Sequence, residues 1–318
     1  MQSSPRPRTW RRAPAAPIGS FRRLADYLLQ LLQIVCSPGF GALRRVGVRR
    51  FGIGRGGHLA GCYSARMSRT LKLGMNIDHV ATLRQVRYAG MLETFHAEPV
   101  LLNAAHEAEN AGADSITIHL REDRRHIQDG DVYLLREHIQ TKLNLELGNT
   151  PEIVAIALDA APDFACLVPE DRAEVTTEGG LDVVGNRDAI AETTERLRTA
   201  SIQVSLFIDP EPAQVEAAAE VGAEMIELHT GAFANAAGEG RDRELERLVD
   251  AARRAHAAGL QVNAGHGITT GNVETLFAIP HLAELNIGHH IVSRSIFIGL
   301  RAAVQEMLAV MSRYRSPE

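Results

Sequence analysis

Eight short apolar runs, separated by longer stretches with apolar residues at helical spacing, constrain this chain more than any other feature. The runs are 71–78, 115–120, 143–146, 164–168, 203–209, 225–230, 261–266 and 284–289. Short apolar runs bounded by turn residues read as strands of a buried parallel sheet. Between them, 100–111, 212–221, 242–258 and 272–278 carry the helical pattern. Several helices run into glycine and then a strand, at Gly112, Gly222 and Gly259. Glycine there supplies the left-handed C-cap of an αβ loop. Eight strand–helix units predict an α/β fold, a closed TIM (β/α)8 barrel with its helices outside. An open doubly wound sheet is the alternative. Eight near-equal units argue against it, and so does the stretch 69–318, close to the roughly 250 residues typical of such barrels.

The first 68 residues are a different material. Residues 1–70 hold thirteen arginines, no lysine and one acid, Asp26, although the whole chain is net −5. This predicts two parts: an Arg-rich, disordered extension over 1–68 and a catalytic barrel over 69–318. The extension could also be upstream sequence read from a wrong start, with Met67 the true one. Its apolar run, 24–35, is broken by Asp26, Gln30 and Gln33 and falls short of the roughly 20 residues that span a bilayer. Those polar residues also spoil Ser20-Phe21-Arg22-Arg23 as an export signal. Gly52, Gly54 and Gly57 spell a dinucleotide-binding fingerprint, but Val46-Gly47-Val48-Arg49-Arg50 before them is too charged for a buried strand. Arginines could neutralise nucleic-acid phosphates, yet no aromatic interleaving supports a nucleic-acid arm. Cys36, Cys62 and Cys166 form no CxxC pair, so a reducing, cytoplasmic setting is expected.

The strand ends carry the chemistry. They read Asn76-Ile77-Asp78-His79, His119-Leu120-Arg121, Asn144-Leu145-Glu146, Glu227-Leu228-His229, Asn263-Ala264-Gly265-His266-Gly267 and Asn286-Ile287-Gly288-His289-His290. A barrel places its active site at the C-terminal strand ends, and a purely structural barrel would not gather so many groups that are costly to desolvate. Gly265-His266-Gly267 and Gly288-His289, after strands seven and eight, suit the usual barrel phosphate site. A second cationic group follows strand two, with Arg121 and His126 as inward candidates, and Arg84 and Arg87 lie one turn apart after strand one. Two anion sites suggest two phosphorylated substrates or one bisphosphate.

Lysine gives an exclusion. The chain has only Lys72 and Lys142, both at the N-terminal ends of strands, opposite the chemistry. A Schiff-base lysine is therefore not expected, and an attacking amine must belong to a substrate. Asp78, His79, His119 and His266 could ligate a metal. However, no H-x-H follows strand one, no H-E-x-x-H occurs at a strand end, and Arg121 opposes a cation, so no metal is expected. Histidines with Glu146 and Glu227 favour proton transfer.

These residues fall into a recognisable set. Met75-Asn76-Ile77-Asp78-His79-Val80-Ala81-Thr82-Leu83-Arg84, Thr117-Ile118-His119-Leu120-Arg121-Glu122-Asp123-Arg124-Arg125-His126 and Asn144-Leu145-Glu146 resemble the pyridoxine 5'-phosphate synthase family. So do Cys166-Leu167-Val168-Pro169-Glu170, Glu174-Val175-Thr176-Thr177-Glu178-Gly179-Gly180, Val262-Asn263-Ala264-Gly265-His266-Gly267 and Leu285-Asn286-Ile287-Gly288-His289. The resemblance spans 71–313 in order. It implies condensation of 1-deoxy-D-xylulose 5-phosphate with 3-amino-2-oxopropyl phosphate to pyridoxine 5'-phosphate, inorganic phosphate and water, in vitamin B6 biosynthesis. It implies His119 and Glu146 as general bases, His266 as general acid, and Glu227 as a stabiliser of charge in the transition state. It implies Asn76, Arg87, Gly267, Gly288 and His289 around the amino-ketone phosphate. For the deoxyxylulose phosphate it implies Asp78, His79, Arg121, His126 and Thr176. It further implies no metal or organic cofactor, extra helices on the barrel, and a homo-octamer with neither nucleic-acid nor membrane partner.

Overall fold

The computed structural model describes residues 71–91, 97–170 and 179–317. The extension over 1–68, its glycine fingerprint and Thr176 lie outside the described residues. In chain order the elements are β1 (Lys72–Asn76), α1 (Asp78–Tyr88), α2 (Leu101–Ala111), β2 (Ser115–Leu120), α3 (Asp129–His138), β3 (Lys142–Leu147) and α4 (Pro151–Ala160). Then come β4 (Phe164–Leu167), α5 (Arg187–Thr199), β5 (Gln203–Ile208), α6 (Pro212–Glu220), β6 (Met225–His229), α7 (Gly231–Asn235) and α8 (Glu239–Ala257). The last are β7 (Gln261–Gly265), a 3-10 turn (Thr275–Ala278), β8 (Leu282–Ile287), α9 (His289–Ile298) and α10 (Leu300–Met311).

The eight strands are parallel and paired in chain order into a closed barrel. β8 closes onto β1, with Lys72 opposite Glu284 and Met75 opposite Ile287. Every expected run is a strand, and the helices before β2, β6 and β7 reach left-handed glycines at Gly112, Gly222 and Gly259. Two C-terminal ends differ from the expectation by more than one residue. The first and last runs do not continue to 78 and 289, because Asp78 and His289 are already the first residues of α1 and α9. The polar residues read there as strand ends therefore sit at helix starts, where backbone N–H groups have no intrahelical acceptor. The expected helix 272–278 is only a short 3-10 turn.

Period-two alternation builds two different layers from each strand. On β2, Ile116, Ile118 and Leu120 are wholly buried in the apolar layer between sheet and helices. Ser115 and Thr117, on the opposite face, turn into the lumen. Ser115 Oγ donates to Glu284 Oε1 at 2.7 Å, and Thr117 Oγ1 donates to Asn286 Oδ1 at 3.1 Å. Asn144 Nδ2 donates in turn to Thr117 Oγ1 at 3.3 Å. The lumen is thus a hydrogen-bonded polar layer rather than a stack of branched aliphatics, and the apolar driving force comes from the outer interface. Both lysines lie at the N-terminal end of the barrel, where Lys142 Nζ sits 4.5 Å above the Phe164 ring. No helix among the described residues is long and apolar enough to cross a membrane.

Candidate active site

A cleft of about 700 Å³ lies at the C-terminal ends of the strands. Twelve of the fourteen site residues implied by the resemblance line it: Asn76, Asp78, His79, His119, Arg121, His126, Glu146, Glu227, His266, Gly267, Gly288 and His289. The other two are Thr176, already placed outside the described residues, and Arg87. Arg87 is exposed on the last turn of α1 and is not part of the cleft lining.

The floor is set by strand register. His119 on β2 stands opposite Glu146 on β3, and Glu227 on β6 stands opposite Asn263 on β7. Asp78, at the start of α1, accepts the His119 backbone N–H at 2.8 Å through Oδ1. Its Oδ2 accepts Asn76 Nδ2 at 3.0 Å. This carboxylate therefore pins the end of β2 to the β1–α1 junction. Burial pushes Glu146 well above the carboxylate range, and the neighbouring Glu227 and Asp78 charges push it further, against a hydrogen bond with Asn76. Burial pushes Glu227 up to about 8, with an Asn286 hydrogen bond opposing and Glu284 adding to the rise. Both buried carboxyls hold their protons above the ordinary carboxylate range, Glu227 to about 8, so this floor can both accept and deliver protons.

The wall formed by β6 and β7 holds His266. Its backbone has φ of 78°, and Gly267 follows at 70°, a left-handed pair that aims the loop after β7 back into the cleft. Thr230 fixes that turn, its hydroxyl donating to the Gly265 carbonyl at 2.8 Å and also to the His266 carbonyl. Gly265 has to be glycine for space. A Cβ there would lie 2.0 Å from Glu227 Oε1.

The remaining sides of the cleft are lined by imidazoles and Arg121. His79 and His289, at the starts of α1 and α9, meet with their Nδ1 atoms 3.3 Å apart. Burial and the neighbouring His289 hold His79 below the usual imidazole value, against the pull of Asp78. His126 Nδ1 accepts the Ile127 N–H at 2.9 Å, which leaves the proton of the neutral ring on Nε2 as a donor. Burial keeps His126 low as well, with His119, Arg121 and His79 disfavouring its cation and Asp78 opposing. Arg121 is buried, and Asp123 Oδ1 lies 3.6 Å from its Nε.

Arg84 is a correction. Its spacing from Arg87 suggested a paired anion contact. The structure turns it inward, where it makes a buried bidentate ion pair with Asp131 at 2.7 and 2.6 Å. Its charge braces α1 against α3 and is not offered to a ligand.

Three further acid and imidazole groups belong to the site, none of them given a role by the sequence. Glu170 Oε1 lies 3.2 Å from His119 Nε2. His229 is buried, its Nδ1 lies 2.9 Å from Asp209 Oδ1, and its ring meets that of His266 edge-on at 5.1 Å. The His229 hydrogen bond holds Asp209 below the carboxylate range, so the Nδ1–H is the donor. His229 stood at a strand end in plain view. Its partner lies twenty residues earlier, just past the end of β5, where spacing gives no signal. As for metals, Asp78, His119 and Glu146 offer ligand atoms within 4.8 Å of one another, a set that shares only Asp78 and His119 with the four candidates of the sequence. Each already has other work: Asp78 binds Asn76 and the His119 N–H, His119 Nε2 meets Glu170, and Glu146 tends to keep its proton.

This fold and this rim define a (β/α)8-barrel enzyme with buried acid–base groups between cationic and imidazole walls. Residues 73–313 match the family described as Pyridoxal phosphate biosynthesis protein PdxJ, and the chain belongs to that family. It is 58% identical over 242 residues to a pyridoxine 5'-phosphate synthase of Akkermansia muciniphila, covering 76% of this chain and 98% of that protein. A protein of the same name from Photobacterium profundum is 54% identical over 240 residues, covering 75% of this chain and 96% of its own length. Among solved structures, a phosphoribosyl anthranilate isomerase from Thermococcus kodakaraensis superposes with a TM-score of 0.50 at 13% identity, covering 77% of this chain and 99% of that one. That likeness concerns the fold alone.

Proposed function

We propose that this chain condenses 1-deoxy-D-xylulose 5-phosphate with 3-amino-2-oxopropyl phosphate to form pyridoxine 5'-phosphate, inorganic phosphate and water. The observation that carries the reading is the cleft floor, where His119, Glu146 and Glu227 converge between imidazole-lined walls while both lysines lie at the far end of the barrel. The attacking amine is then the substrate's own. Its addition to the ketone and the loss of water need alternate removal and delivery of protons, and carboxyls raised above their ordinary range by burial do both. His119 and Glu146 act as general bases and His266 protonates the leaving oxygen. Glu227 stabilises developing positive charge as it ionises. Asn76, Gly267, Gly288 and His289 hold the amino-ketone phosphate, and the resemblance adds Arg87, which lies outside the cleft lining. Asp78, His79, Arg121, His126 and Thr176 hold the deoxyxylulose phosphate.

The reaction needs no metal or organic cofactor in this reading, and the setting is the cytoplasm. A homo-oligomer, an octamer by family resemblance, has support in the exposed apolar residues Leu83 and Val86 on α1 and Ile296 and Phe297 on α9, two helices that pack together. Exposed apolar groups on two adjoining helices favour burial against other copies. The test supplies each phosphate alone and both together, with and without a chelator. Product formed only from the pair, with or without chelator, supports the proposal. Turnover of one substrate alone, or turnover abolished by the chelator, would overturn it.

A further inference from the structure

We propose that Glu170 is a positioning residue that holds His119 as the Nε2–H tautomer, leaving Nδ1 as the basic nitrogen. This rests on the reading of His119 as a general base. Glu170 Oε1 lies 3.2 Å from His119 Nε2, with both side chains largely buried. The same oxygen accepts the Gly148 N–H at 3.0 Å, and Oε2 accepts the Glu122 N–H at 2.9 Å. One carboxyl thereby ties together the loops after β2, β3 and β4, three neighbouring corners of the cleft. Its seat is tight. A Cβ at Gly148 would come within 2.8 Å of Oε1.

The charge state decides the direction of the His119 contact. Burial raises Glu170, but hydrogen bonds from His119 and the Glu122 N–H, with the Arg121 charge, outweigh it and hold the group below the carboxylate range. An ionised carboxylate only accepts, so His119 Nε2 has to donate. A neutral imidazole carries one proton, so its lone pair is then on Nδ1. Because the His119 backbone N–H is itself held by Asp78, ring and main chain are both fixed. When Nδ1 takes a proton from substrate, the imidazolium formed has Glu170 as its counter-charge, the role a buried carboxylate plays toward a catalytic histidine elsewhere.

The test is imidazole nitrogen NMR on the full chain without substrate, with the His119 signals assigned by their loss in His119→Asn, followed by kinetics of Glu170→Gln. The expected results are a pyridine-like Nδ1 and a protonated Nε2 in the parent protein and a mixed tautomer in Glu170→Gln. The variant's kcat should fall roughly 10- to 100-fold, as for removal of other groups that orient an active histidine, with KM for both phosphates within about threefold. A protonated Nδ1 in the parent protein overturns the proposal, and that measurement stands even if the variant fails to fold. An unchanged tautomer with unchanged kcat in Glu170→Gln overturns it as well. The tautomer is read without turnover, so a parent protein that makes no product would sink the proposed function and leave this assignment to be decided by the spectrum.

Discussion

Asn286 on β8 donates its side-chain N–H to Glu227 Oε2 on β6 at 2.6 Å, reaching across the intervening strand β7 inside the barrel. The bond favours the carboxylate, yet burial outweighs it and Glu227 stays protonated toward about 8. A group raised above its ordinary value of 4.5 on folding binds more protons in the folded state. Its contribution to stability is therefore complete at acid pH and is lost as pH rises through the window from 4.5 to about 8. Denaturant unfolding of the parent protein should show stability falling across that window. Glu227→Gln keeps an acceptor for Asn286 and removes the titration. It should match the parent near pH 5 and exceed it by about 4 kcal/mol near pH 9. Parallel stability curves would contradict the buried, protonated state.

Gly265 leaves the space that the Glu227 carboxyl occupies. Gly265→Ala would put a Cβ 2.0 Å from Oε1 and force the carboxyl off its present position. The expected cost is about 1–3 kcal/mol, typical of overpacking, with kcat lowered at least roughly tenfold. Thermal unfolding and steady-state kinetics measure the two effects. A variant with parent kcat would show that the position of this carboxyl does not matter to turnover.

Arg84 and Arg87 separate cleanly by burial. Arg84→Met leaves Asp131 as an uncompensated buried charge and should destabilise by about 3–5 kcal/mol. Arg87→Ala removes an exposed side chain and should leave stability within about 0.5 kcal/mol while raising KM for 3-amino-2-oxopropyl phosphate. Equal effects on stability would contradict the different surroundings of the two guanidiniums.

The barrel was legible because its signal is local. Alternation within Ser115-Ile116-Thr117-Ile118-His119-Leu120 separates an apolar outer face from an inner one, and the glycines at 112, 222 and 259 mark where helices stop. Most candidate site residues were legible for the same reason, since a parallel barrel brings all its strand C-termini to one rim. What spacing could not give was pairing at a distance. His119 and Glu170 are 51 residues apart, and Arg84 and Asp131 are 47 apart. The i, i+3 spacing of Arg84 and Arg87 implied neighbouring positions on one helix face, but burial against α3 decided otherwise for Arg84. Asp78 and His289 look like strand ends in the sequence because their apolar neighbours continue the strand pattern, whereas the chain enters a helix at once.

The central claim is that acid–base groups gathered on the strand ends join two phosphorylated substrates. Its most direct test measures inorganic phosphate and pyridoxine 5'-phosphate together, for the parent protein, Glu146→Gln and His266→Asn, each first shown to be folded. Equal amounts of the two products from the parent protein, with kcat lowered by roughly 100-fold or more in both variants, is the predicted result. Product formation at the parent rate by both variants would contradict the account.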